Sequence, residues 1–172
     1  MSRSLTGNEI SLAKEIFQTS INYSIVKVHE DTYTFFQPSD TLMTPNGEIY
    51  APKDVYKTDY GVESGGWKCL FIHEMTHVWQ YQNNILDPRG AGVKEFFRNW
   101  MNYANAYYYT LKDGSDLTDY HMEQQAAIVE EFYRVIRRGE GFSKHCKNGG
   151  TLAAKKELLK KVMGSFFEGL KK

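Results

Sequence analysis

His73-Glu74-Met75-Thr76-His77 constrains this chain more than any other stretch. On a helix, positions i and i+4 lie on one face, so the two imidazoles project side by side. Two neutral imidazoles so placed can grip one zinc ion, and the Glu beside the first can reach a water at that ion. The pattern specifies three residues in five, so its context matters. Gly65-Gly66 closes the preceding segment, and Trp67 to Gln82 runs without Pro or Gly. Apolar Leu70, Phe71, Met75, Val78 and Trp79 recur at helical spacing. The alternative is a core helix whose two histidines merely find hydrogen-bond partners. Burying two imidazoles and a carboxylate together without a metal is costly unless every group is paired.

A catalytic zinc ion takes three protein ligands and leaves a fourth position open. One class of such enzymes extends the same helix with a Gly three residues after the second His and another His three further on. Gln80 and Asn83 stand there, so the third ligand has to come from elsewhere. The other histidines are His29, His121 and His145. The best region is Asp119 to Val129, which follows the turn-forming Asp113-Gly114-Ser115-Asp116 and opens an amphipathic helix. Glu123 lies near its start, and small Ala126 one turn on permits close approach of another helix. Glu123 is the first choice of ligand and His121 the second, since zinc accepts both. The competing reading of Glu123 is a solvated first-turn residue facing the helix dipole.

Composition narrows the function classes. The chain has 172 residues, the size of one domain, and is read as a single domain over 1–172. Hydrophobic residues make up 41%, enough for a sizeable core. Basic and acidic residues balance at 21 each, and no basic stripe interleaves with aromatics, which argues against nucleic-acid binding. Met1 to Gly7 lacks the apolar core of a signal peptide, and no apolar run is long enough for stable membrane insertion. Cys69 reads as a buried small hydrophobe and Cys146 as an incidental thiol. A Cys69–Cys146 disulfide requires an oxidising compartment.

Periodicity predicts a helix over 8–20, with Ile10, Ala13, Ile16 and Phe17 on one face. Tyr23 to His29 alternates like a strand, and Thr32 to Gln37 is a second β-rich run. Thr41 to Tyr50 reads as a hairpin about Asn46-Gly47. Lys53 to Ser64 reads as an irregular approach to the histidine-bearing helix. Beyond it come a break at 87–92, a helix over 93–105, a short strand at Tyr107–Leu111 and a helix over 119–138. The last helix, 151–170, carries a stripe of Leu159, Val162, Met163, Phe166 and Leu170 that suits a core. The expected fold class is α+β: a small antiparallel or mixed N-terminal sheet packed on a zinc-bearing helix, with further C-terminal helices. That is the minimal zincin plan.

Three ordered blocks carry a family resemblance: Met43-Thr44-Pro45-Asn46-Gly47-Glu48-Ile49-Tyr50, then Phe71 to Gln80, then Tyr120-His121-Met122-Glu123-Gln124-Gln125-Ala126. Together, over about residues 35–135, they resemble the zinc metallopeptidase toxin domains of bacterial type VI secretion. Such domains occur fused to VgrG spike proteins or as small Rhs/Vgr-related chains. The resemblance implies a gluzincin-like fold with a Glu as third ligand, the place of Glu123. It also implies delivery into the envelope of a rival or host cell, with action in the target periplasm. A secretion-spike partner and an immunity protein follow as expectations. Where the family pattern often has Asn, this chain has His121.

The expected chemistry is zinc-dependent hydrolysis of peptide bonds in a protein or peptide substrate. His73, His77 and Glu123 are the metal ligands and Glu74 the general base. Tyr120 and His121 are the candidate oxyanion donors, by proximity to Glu123. Two alternatives stand beside this. One is a housekeeping peptidase or cell-wall amidase using the same zinc chemistry; the other is a zinc-fold binding or loading module without activity.

Overall fold

The computed structural model describes residues 1–85 and 106–170. The chain divides into two compact units, Met1–Trp100 and Met101–Lys172. The break expected at 87–92 and the helix expected over 93–105 lie outside the described residues.

The first unit opens with strand β1 (Ser2–Ser4) and helix α1 (Gly7–Phe17). Thr6 caps α1: its hydroxyl accepts from the Glu9 backbone N–H at 3.1 Å, while Glu9 accepts from the Thr6 N–H at 2.9 Å. Glu9 is fully buried. Arg3 meets it with both terminal guanidinium nitrogens, at 2.7 and 2.8 Å, and the Tyr60 N–H donates to it at 2.9 Å. A buried carboxylate is tolerable with that many charge-assisted partners, and it ties β1, α1 and the 60-turn together. Ala13, Ile16 and Phe17 face the core as expected, whereas Ile10 is only half-buried and Leu12 takes a core position in its place.

Strand β2 (Lys27–His29) pairs antiparallel with β1 and parallel with β3 (Ile49–Tyr50), giving a three-stranded mixed sheet in the order β1-β2-β3. The expected strand over 23–29 is shorter than the alternation suggests. Asn22 accepts from both the backbone and the hydroxyl of Ser24 and winds Tyr23–Ile25 into a helical turn before β2 begins. The β-rich run at 32–37 forms no strand. Asp31 captures the Thr32 N–H and Gln37 captures the Tyr33 N–H, curling the segment so that Phe35 and Phe36 point to solvent. The expected hairpin is reduced to one antiparallel bridge, Met43 with Tyr50, closed about Gly47 at φ 80°.

Helix α2 (Gly65–Gln82) begins two residues before the expected Trp67. Its residues 71–80 are all buried, polar ones included, so it is a core helix rather than one with a single apolar stripe. Tyr60 stacks on Phe71 with ring centres 5.6 Å apart.

The second unit, described by itself, is built around helix α3 (Met122–Phe132). The helix expected over 119–138 continues past Phe132 only as a wider π-type turn, Tyr133–Arg137. Tyr107–Leu111 makes one parallel bridge, Tyr109 with Cys146, rather than a strand. Buried Glu131 accepts from the Tyr109 hydroxyl at 2.9 Å and from the Ser143 backbone and hydroxyl at 2.8 and 2.6 Å. The expected final helix is broken at Met163, ahead of Gly164, into α4 (Leu152–Val162) and α5 (Gly164–Gly169). Leu159, Val162, Met163 and Phe166 are buried, while Leu170 is only half-buried. Both cysteines are free thiols. Among the described residues no helix is long and apolar enough to cross a membrane.

Candidate metal centre

Helix α2 carries His73 and His77 on one face, one turn apart. Their rings lie edge to face with centres 5.0 Å apart, and both are buried. The His77 Nδ1 lies 2.8 Å from Gln80 Oε1. An amide oxygen only accepts, so Nδ1 carries the proton and Nε2 presents its lone pair, as a metal-binding imidazole requires. Gln80 is fully buried. Its side chain, one turn on from His77, therefore sets the imidazole's tautomer and orientation.

Glu74 is buried beside His73. The Thr44 hydroxyl donates to Glu74 Oε2 at 2.6 Å, a short charge-assisted bond in a buried setting. Thr44 follows Met43, whose backbone pairs in both directions with Tyr50 at 3.1 and 2.8 Å. The sheet thus presents a hydroxyl to the motif's carboxylate.

Glu123 lies in the first turn of α3 and is 2% exposed, so it is not a solvated surface residue. His73, His77 and Glu123 each offer one ligand atom, and these atoms all lie within 4.8 Å of one another. This buried group could hold a metal ion. Two imidazoles and one carboxylate fit a borderline divalent cation, and the cation balances a carboxylate that burial alone disfavours.

The other residues singled out in the sequence have partners of their own. His121 is exposed at the cap of α3, where its backbone N–H meets Gln124 Oε1 at 3.2 Å. The Tyr120 hydroxyl accepts from the Lys112 N–H at 3.0 Å and lies 3.4 Å from the Thr110 carbonyl. His29 Nε2 lies 2.7 Å from Glu48 Oε2, and His145 packs against Tyr107 and Tyr108. Thr44 and Gln80 received no role from the sequence. Gln80's i+3 spacing from His77 was a usable signal. Thr44 lies thirty residues from Glu74 in sequence, and only the fold connects them.

No family model matches the chain. It is 39% identical over 132 residues to the type VI secretion system spike protein VgrG2b of Pseudomonas aeruginosa, matching 76% of this chain and 13% of that protein's length. Among solved structures it is similar to the effector domain of Pseudomonas aeruginosa VgrG2b, with a TM-score of 0.70 and 33% identity. That match covers 98% of this chain and 83% of the other. By that identity and coverage, the chain belongs to the family of the VgrG2b effector domain of type VI secretion.

Proposed function

We propose that this chain is a zinc-dependent metallopeptidase effector that travels with a type VI secretion spike. The observation that carries the reading is the buried group of His73, His77 and Glu123 with Glu74 next to the first ligand. Kinship with a spike-protein effector domain supports the delivery half of the proposal. The fold class proposed is zincin-like, since a small mixed sheet and a histidine-bearing helix are the parts that plan needs.

A bound zinc ion supplies Lewis acidity, polarising a carbonyl and making water a stronger acid at neutral pH. His73 and His77 hold it through ring nitrogens, with Gln80 fixing the tautomer of His77. Glu123 adds the anionic ligand that lowers the net charge of the site. Glu74 takes the proton from the attacking water and returns it to the leaving amine, the general acid–base role its position permits. Burial of Glu74 and both histidines keeps their electrostatic interactions strong.

The exposed position of His121 supports a role at the substrate rather than the metal. The bonds of the Tyr120 hydroxyl to the 110–112 backbone support a packing role for that residue. The substrate is a protein or peptide in the envelope of the recipient cell, and the producing cell would need an immunity protein against it. Expression in the periplasm tests this reading: wild type should arrest growth there, and Glu74→Gln should not. Equal toxicity of the two would remove the catalytic explanation.

A further inference from the structure

We propose that Thr44 is the positioning residue of this site, its hydroxyl holding the Glu74 carboxylate in the orientation that proton transfer needs. The inference rests on the metallopeptidase reading above.

A Glu side chain has several rotatable bonds, and a general base misplaced by about 1 Å loses much of its effect. Glu74 lies on a helix whose neighbouring positions are all buried, yet its carboxylate still has to be aimed. The Thr44 hydroxyl does this from outside the helix, at 2.6 Å and with both residues buried. Thr44 is itself held. The Met43–Tyr50 pairing fixes the backbone before it, and Gln37 Nε2 donates to the Tyr50 carbonyl at 3.1 Å and to the Thr41 carbonyl at 2.8 Å. Tyr50 in turn stacks on His29 of β2, ring centres 4.4 Å apart and nearly parallel. The small sheet therefore fixes a hydroxyl against the base. β-Branched Thr suits this better than Ser, because its restricted side-chain torsion keeps the hydroxyl in place.

Two measurements test the proposal on the full chain. In zinc-loaded protein, with a fluorogenic peptide chosen from its casein digest, Thr44→Val should lower kcat about 10- to 100-fold while KM and bound zinc stay near wild type. Thr44→Ser, which keeps the donor, should recover most of the loss. In metal-free protein, the urea midpoints of Thr44→Val, Glu74→Leu and the double variant should be non-additive, because each substitution removes the one hydrogen bond that the two side chains share. Wild-type kcat in Thr44→Val overturns the positioning role alone. So do additive midpoints, or a loss confined to zinc content. Zinc-loaded wild type inert on casein would remove the peptidase reading and the positioning role with it.

Discussion

His77 Nδ1 lies 2.8 Å from the side-chain oxygen of Gln80, one turn further along the same helix. This contact decides which ring nitrogen of His77 is available to a metal. Partners of this kind typically contribute 10- to 100-fold in metal affinity. Gln80→Leu should therefore weaken zinc binding by about 10- to 100-fold, read by competition with a chromophoric chelator. The circular dichroism of the variant should match wild type. An unchanged affinity would show that Gln80 is only a buried packing residue.

Glu123 and His121 make opposite predictions although they are two residues apart. Glu123 is buried with its ligand atom near those of His73 and His77, whereas His121 is exposed. Glu123→Ala should lower zinc content per chain sharply, and His121→Ala should leave it unchanged. Metal analysis after dialysis distinguishes them. The reverse pattern would reassign the third ligand.

Gly47 supports Thr44 from the turn. It adopts φ 80°, and a Cβ there would meet Tyr81 Cδ1 at 2.5 Å. Gly47→Ala should destabilise the protein by about 1–3 kcal/mol in urea, from the left-handed backbone alone. The Tyr81 ring adds to this unless it moves, so Tyr81→Ala should relieve part of the loss and leave the backbone share. Full stability in Gly47→Ala would mean that the turn relaxes without cost.

Asp59 gives the fold a modest acid sensitivity. Desolvation pulls its pKa up, but hydrogen bonds from Asn8, Thr6 and the Gly61 N–H, with the charge of Arg3, outweigh it and hold the pKa below the usual 3.8. A depressed carboxylate contributes stability above its unfolded pKa and loses it as pH falls through the folded value. Because Asp59 is only half-buried, the effect is small and screened by salt. Asp59→Asn should lower Tm slightly at neutral pH and flatten the fall in Tm between about pH 5 and pH 2. An unchanged acid profile would assign the sensitivity to other carboxylates.

Helices α1 and α2 were legible because their apolar residues repeat at helical spacing over three turns or more. So were His73, Glu74 and His77, whose relation is local to one helix. Glu123 was reachable through its place at the start of a second amphipathic segment. Two kinds of feature were hidden. The run at 32–37 has strand composition, but the side chains of Asp31 and Gln37 capture two of its backbone donors, and no strand among the described residues pairs with it. Thr44 is an ordinary hydroxyl in sequence; its contact with Glu74 needs the sheet, the Met43–Tyr50 bridge and α2 all in place.

The central claim is that Glu74 acts as a base beside a metal held by His73, His77 and Glu123. The most direct measurement is zinc stoichiometry and casein cleavage on wild type and Glu74→Gln in parallel. The account predicts about one zinc per chain in both, from three ligands that the substitution leaves intact. Cleavage should occur in wild type alone, stop on chelation and return with zinc. Cleavage by Glu74→Gln at the wild-type rate, or by wild type stripped of metal, would contradict it.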